Sequence, residues 1–125
     1  MVTEDRVLEL ADSFRSVGEI LTAIGDETRQ HIMIEMMKMG ECTGARVGEI
    51  TERTNLSRPA VSHHLQILKN AGILKVRKEG TMNFYYFDHG MKSLESLIET
   101  LSLAVSIARD LPEMPGDGPG ELPGE

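Results

Sequence analysis

A chain of 125 residues and 13.8 kDa is sized for one domain, and 40% hydrophobic with 26% charged residues excludes wholesale disorder. The longest apolar run, Phe84-Tyr85-Tyr86-Phe87, is too short for a membrane helix or a secretory core, the N-terminus Met1-Val2-Thr3-Glu4-Asp5 is acidic where a signal peptide is basic, and the lone Cys42 excludes an intramolecular disulfide or a multi-cysteine zinc knot. The expectation is a cytoplasmic protein of net charge -7 with no membrane partner.

Val7, Leu10, Phe14, Val17 and Leu21 recur at spacings of three and four, with Leu8 and Ala11 beside them, which predicts one amphipathic helix over about 5–22. Gly25 breaks it, and Asp26 caps a second helix, about 27–39, ended by Gly40. A loop over 41–45 leads to a short helix, about 46–53, that buries Val47 and Ile50. Asn55-Leu56-Ser57 is a turn ending in a capping serine, and a fourth helix runs from Arg58 to Asn70 with Pro59 tolerated in its first turn. After Gly72 the period changes from 3.6 to 2. Leu74 and Val76 alternate with Lys75 and Arg77, and beyond Gly80-Thr81 the residues Met82, Phe84 and Tyr86 alternate with Asn83, Tyr85 and Phe87, predicting a hairpin of strands 73–78 and 82–87. A last helix, about 91–110, carries Met91, Leu94, Ile98, Leu101, Val105 and Ala108 as its stripe, widened by Leu97, Ala104 and Leu111. Residues 1–111 are thus expected to form one domain. Residues 112–125, rich in Pro and Gly and without a positive charge, are expected to be a disordered acidic tail.

The acidic balance is unevenly spread. Residues 57–87 hold five basic side chains (Arg58, Lys69, Lys75, Arg77, Lys78) and one acidic (Glu79), whereas the stretches on either side are net negative. Phosphate binding depends on the local patch, so a basic third inside an acidic chain remains compatible with nucleic acid. Helix, tight turn, helix and basic hairpin in that order form a winged helix-turn-helix. Val61, Leu65 and Leu68 give helix 58–70 a core stripe, leaving Arg58, Ser62, His63, Gln66 and Lys69 to face a major groove. Ser57 and the first amides can hold a phosphate, Arg58 can pair with a guanine or clamp a phosphate, Gln66 can read adenine, and Lys75, Arg77 and Lys78 meet the flanking backbone.

The string Leu56-Ser57-Arg58-Pro59-Ala60-Val61-Ser62-His63-His64-Leu65-Gln66-Ile67-Leu68 closely resembles the recognition-helix segment of the ArsR/SmtB family of winged-helix transcriptional regulators. Ile24-Gly25-Asp26-Glu27-Thr28-Arg29-Gln30-His31-Ile32 and Val47-Gly48-Glu49-Ile50-Thr51-Glu52-Arg53-Thr54 are similar to its second and third helices, and Glu79-Gly80 through Phe87 to its wing. The resemblance implies a homodimer on a near-palindromic DNA operator, acting as a repressor released by an effector. The first and last helices carry apolar stripes wider than a lone surface helix needs, so Leu10, Phe14, Val17, Leu94, Ile98, Leu101 and Val105 are expected at the dimer interface that the resemblance favours, where about 800 Å² per chain would be ordinary. A winged helix serving only protein contacts, and a divalent-metal-responsive repressor, are the competing readings.

Many relatives sense metals, but the stretch matching their thiolate site, Arg46-Val47-Gly48-Glu49-Ile50, has no cysteine. Asp88 and His89 stand where a second family site begins, and Glu99 is the sort of carboxylate that could join them, yet one imidazole with carboxylates is a thin set for zinc. No cofactor is expected. His63 and His64, adjacent on a helix, diverge by about 100° and cannot share an ion. His63 is expected to face DNA and His64 the domain edge. His31 is expected to be a partly buried core or interface residue, Cys42 an inert thiol, Met33, Met36, Met37 and Met39 adaptable core, and the aromatics 84–87 packed against the domain. No nucleophile–base pair or phosphate loop suggests an enzyme.

Overall fold

The computed structural model describes residues 2–40 and 44–115; the expectations for Cys42 and for positions 116–125 of the tail lie outside them. Six helices and a hairpin follow in the order α1 (Glu4–Ser16), α2 (Gly18–Ile24), α3 (Glu27–Met39), α4 (Val47–Thr54), α5 (Arg58–Asn70), β1 (Leu74–Glu79), β2 (Met82–Phe87) and α6 (Lys92–Asp110). Residues 112–115 carry no helix or strand.

The first expected helix is two. Val17 departs from helical geometry (φ -108°, ψ 11°), its N–H takes the carbonyls of Ser13 and Phe14, and Gly18 opens α2 on a new axis. The break carries Val17 inward to 2% exposure, together with Ile20 and Ala23. Val17 is therefore a residue of its own protomer's core and not of a dimer stripe. Its β-branched side chain gains more from a closed core than from a continued helix.

Capping sets the other boundaries. Thr3 accepts from the Arg6 N–H at 3.2 Å, Asp26 from Arg29 N–H at 2.9 Å and Ser57 from Ala60 N–H at 3.2 Å, each satisfying a first-turn donor. Helix α5 ends in a Schellman motif. Ile73 N–H donates to the Leu68 carbonyl and Gly72 N–H to that of Lys69, with Gly72 at φ +84°. A Cβ at Gly72 would lie 2.4 Å from Ser93 Oγ, so this turn both needs the left-handed region and lets α6 start close by.

The core gathers Ile32 of α3, Ile50 of α4, Val61, Leu65 and Leu68 of α5, and Ile73, all fully buried. The methionine expectation holds for Met36, which is buried, and for Met33 and Met39, which pack on the core; Met37 faces outward at 56% exposure, as does Ile34. His31 is exposed in the single chain, correcting the core half of its expectation: it lies one residue before Ile32, so the turn that buries Ile32 rotates His31 outward.

The hairpin pairs Leu74 with Phe87, Val76 with Tyr85 and Arg77 with Phe84, turning at Gly80 (φ +61°) and Thr81. Its inner face is Leu74, Val76, Tyr85 and Phe87; Phe84 and Tyr86 lie on the other face, so only half of the aromatic run serves the core. The wing is fastened by reciprocal 2.8 Å bonds between Ala45 and Tyr85. Gly44 permits this approach: at φ +98°, a Cβ there would stand 3.0 Å from Phe84 Cβ.

On α6 the buried side is Leu97, Thr100 and Ile107. Leu94 is half-buried against the protomer's own core, whereas Ile98, Leu101 and Val105 remain 62%, 44% and 46% exposed. Helix α1 packs on α6, tied by Arg6, which donates to Asp110 at 2.7 Å and to Ser106 at 3.0 Å. Leu10 is half-buried, while Val7, Leu8 and Phe14 stay exposed. In one chain the uncovered apolar residues are thus Ile98, Leu101 and Val105 of α6 with Val7, Leu8 and Phe14 of α1.

Candidate nucleic-acid interface

Helix α5 divides cleanly. Val61, Leu65 and Leu68 are fully buried, and Ser57, Arg58, Ser62, His63, Gln66 and Lys69 are exposed. The division follows from spacing alone: residues 61, 65 and 68 fall on one side of a 3.6-residue helix, and 62, 66 and 69 advance together one residue further round. A thirteen-residue helix is about 20 Å long, and its outer face carries hydroxyl, imidazole, amide and ammonium groups that match base edges and phosphates.

Several of these groups already have intramolecular partners. The Gln66 amide donates to Asn70 Oδ1 at 2.9 Å, one turn on, which holds the amide in place with its oxygen directed elsewhere. Asn70 is exposed and joins the surface; the i, i+4 spacing of Gln and Asn was the signal that could have found it. Ser57 spends its oxygen on the cap. Arg58 leans back across the start of α4, where a Cβ on Gly48 would meet its Nη1 at 3.1 Å. The guanidinium thus borders a cleft of about 800 Å³ between α4 and the wing tip, together with Arg46, Glu49 and Asn83. Arg46, exposed immediately before α4, is the cation that the sequence reading passed over, because it lies outside the basic stretch.

The wing is less free than its charge suggests. Arg77 pairs with Glu79 at 2.7 Å and stacks on Phe84, 4.6 Å from the ring centroid. Lys75 lies 3.7 Å from Asp88, and Lys78 is exposed.

His64, expected at the domain edge, has a partner there. It is half-buried, its Nδ1 3.2 Å from Arg29 Nη1 and its ring centroid 5.6 Å from that of His63. Burial, then the Arg29 and His63 charges, hold its pKa below the usual 6.5 against the opposing pull of Asp26.

The metal candidates do not fit an ion within the chain. Asp88 Oδ1 accepts from Gly90 N–H at 3.1 Å and faces Lys75, while His89 and Glu99 are both exposed. Among the described residues no three His, Cys, Asp or Glu side chains converge.

Residues 26–76, from the cap of α3 into β1, match the family model described as bacterial regulatory protein, arsR family. An uncharacterized HTH-type transcriptional regulator of Methanocaldococcus jannaschii is 40% identical over 91 residues, a match spanning 72% of this chain and 99% of that protein. The chain belongs to the ArsR family. The transcriptional repressor SdpR of Bacillus subtilis is 36% identical over 69 residues, 55% of this ArsR-family chain and 72% of SdpR. Among solved structures, the homodimeric winged helix-turn-helix DNA-binding domain of Mb0332 from Mycobacterium bovis aligns with a TM-score of 0.52 at 22% identity, over 90% of this chain and 94% of that domain. The winged helix-turn-helix is thus the fold of this family member, with α4 and α5 as its helix pair and the hairpin as its wing. No helix among the described residues is long and apolar enough to cross a membrane.

Proposed function

We propose that this ArsR-family protein is a cytoplasmic, homodimeric transcriptional repressor that binds a near-palindromic operator through α5 and leaves it when an effector changes the angle between two recognition helices. The observation that carries the reading is the division of α5, buried at Val61, Leu65 and Leu68 and, beyond Pro59 in its first turn, polar on its outer side. Ser62, His63, Gln66 and Lys69 meet the major groove, and Gln66, steadied by Asn70, is the base reader. Arg58, drawn toward α4, serves with Arg46 as a phosphate clamp rather than as a guanine reader. Lys78 supplies the wing's main phosphate contact, with Lys75 and Arg77 supporting it from their ion pairs.

Dimerisation follows from the exposed face of α1 and α6. Ile98, Leu101 and Val105 are spaced for one helix face, and a second copy covers them by two-fold symmetry. Two recognition helices then enter successive major grooves, roughly 34–36 Å apart. No step is assigned to a metal, and no catalysis is proposed.

The test is selection of operator sequences from a random pool, followed by fluorescence anisotropy against the selected and a scrambled duplex at fixed salt. The reading expects enrichment of an inverted repeat bound by two chains. Failure to enrich any sequence, with no affinity for duplex DNA at low salt, overturns it and leaves the protein-contact alternative.

A further inference from the structure

Arg29 is the most heavily used polar side chain of the interior. It is 9% exposed, and its donors reach three segments. Nε donates to the Ala23 carbonyl at 2.7 Å and Nη2 to the Thr22 carbonyl at 3.1 Å, closing the end of α2. Nη1 lies 3.9 Å from Asp26, the cap of its own helix, and 3.2 Å from His64 Nδ1 on α5. A guanidinium has no acceptor, so Nδ1 must present its lone pair, and the neutral ring must carry its proton on Nε2. This contact ties the middle of α5 to the α2–α3 corner through a group that titrates.

Protonation reverses the contact. A proton on Nδ1 would point an N–H at a guanidinium that can only donate, and would set two cations at hydrogen-bond distance. The groups facing His64 are Arg29 and Asp26 from α3 and its cap, and His63 from its own helix; α2 contributes the Thr22 and Ala23 carbonyls, already bonded to Arg29. Asp26 alone favours the charged ring, from behind Arg29, while Arg29, His63 and burial oppose it.

We infer that Arg29 is a positioning residue for the DNA-facing helix, acting through neutral His64, and that protonation of His64 releases this latch and lowers sequence-specific DNA binding in acid. The inference rests on α5 being the recognition helix. His64 belongs to this latch, one residue round the helix from His63 on the outer face. The signs separate the two histidines. Added positive charge on the outer face lies near phosphates and strengthens binding to every sequence alike, so it leaves the specific-to-random ratio unchanged. A proton on His64 unseats the helix and weakens the specific complex. The ratio of specific to random-sequence affinity therefore falls as pH drops below the ordinary histidine value of 6.5, by up to about tenfold per pH unit through the titration.

The experiment measures that ratio by anisotropy from pH 7.5 to 5 at constant ionic strength, for the wild type, His64→Asn and His63→Gln. Asparagine keeps an acceptor near the Nδ1 position without titrating. The ratio should fall in the wild type and in His63→Gln, and stay level in His64→Asn. A wild-type ratio independent of pH, or an equal fall in His64→Asn, overturns the latch. Independently of DNA, imidazole ¹⁵N NMR of the free protein should report a neutral His64 with an unprotonated Nδ1 near pH 7, and Arg29→Met should abolish that preference. A protonated Nδ1 in the neutral ring overturns the latch even if DNA binding stands; the expected tautomer without any duplex affinity overturns the DNA reading instead.

Discussion

Replacing Ile98, Leu101 and Val105 together with alanine should separate the subunits without unfolding them. In a single chain these side chains are 62%, 44% and 46% exposed, so about half of each remains to be buried by a partner. Full burial of such a side chain contributes ~1.5–3 kcal/mol, and half of that is about 1 kcal/mol. Two-fold symmetry counts each residue twice, giving about 2 kcal/mol for Leu101→Ala and roughly 6 kcal/mol for the triple variant. At 1.4 kcal/mol per tenfold, the dimer should weaken about 30-fold and about 10⁴-fold respectively. Sedimentation velocity over a concentration series measures this directly, and amide NMR of the triple variant should still show a folded chain, since the substituted groups face outward in one protomer. Operator affinity should fall with dimer affinity, while weak random-sequence binding by single subunits persists. Val17→Ala is the control with the opposite signature. It should cost ~2 kcal/mol of protomer stability, because that side chain is 2% exposed in its own core, and leave association nearly unchanged. A triple variant that sediments as a dimer of unaltered affinity would refute the assignment of this face.

Gln66→Ala should lower affinity for the selected operator by about 1–3 kcal/mol and barely affect scrambled DNA. Arg46→Ala, Arg58→Ala and Lys78→Ala should instead weaken both alike, each reducing the slope of log K against log salt by about 0.9; a salt titration distinguishes the two classes. Gly72→Ala should destabilise the protein by about 1–3 kcal/mol in urea unfolding, since it forces a Cβ into the left-handed region and to 2.4 Å from Ser93 Oγ. Ser93→Gly should restore only the steric part. In acid, Glu35 should be one source of lost stability. Its hydrogen bond from Lys38, then the charges of Lys38, His31 and Arg53, hold its pKa below 4.5, so its contribution is complete above that value and disappears as pH falls through the lowered one. Unfolding midpoints of Glu35→Gln should vary less with pH below 4.5 than those of the wild type.

The sequence was most legible where local chemistry and tertiary packing agree. Ser57, Pro59 and Gly72 bracket α5 with signals that act within one turn, and the change of period after Gly72 marks the hairpin within a residue of its observed ends. The stripes of α1 and α6 were visible, but periodicity does not say what covers a stripe. On α6 the longer series through Ile98, Leu101 and Val105 points outward, and the flank with Leu97, Thr100 and Ile107 is the protomer's own core. The break at Val17 was hidden because Val17 and Ile20 fit a continuous helix as well as a broken one; only the position of α3 and α5 decides which is buried. Arg29, an interior cation, runs against hydropathy and becomes intelligible only with its carbonyl and side-chain neighbours in place. The outward position of the polar residues of α5 was legible from spacing, whereas their intramolecular partners were not foreseeable. Arg58 against Gly48, Arg77 on Phe84 and His64 on Arg29 all join segments distant in sequence.

The break at Val17 also bears on how the two surfaces communicate. A straight helix over 5–22 would lie along α6 and touch little else. The seven residues of α2 instead pack on α1, α3, α5 and α6, so one short segment adjoins both the face assigned to the partner and the helix assigned to DNA. Its end is fixed by Arg29, whose remaining donor holds α5. On the proposed dimer face, displacing α6 or α1 would reach α5 through α2 or through the Arg29 bonds, and packed interiors yield by discrete shifts rather than by smooth deformation. Two recognition helices must fit grooves separated by a fixed distance, so a small rotation of each about this corner is enough to lose the second half-site. On the proposed mechanism, a ligand that alters the packing of α2 would act without touching the DNA-facing residues.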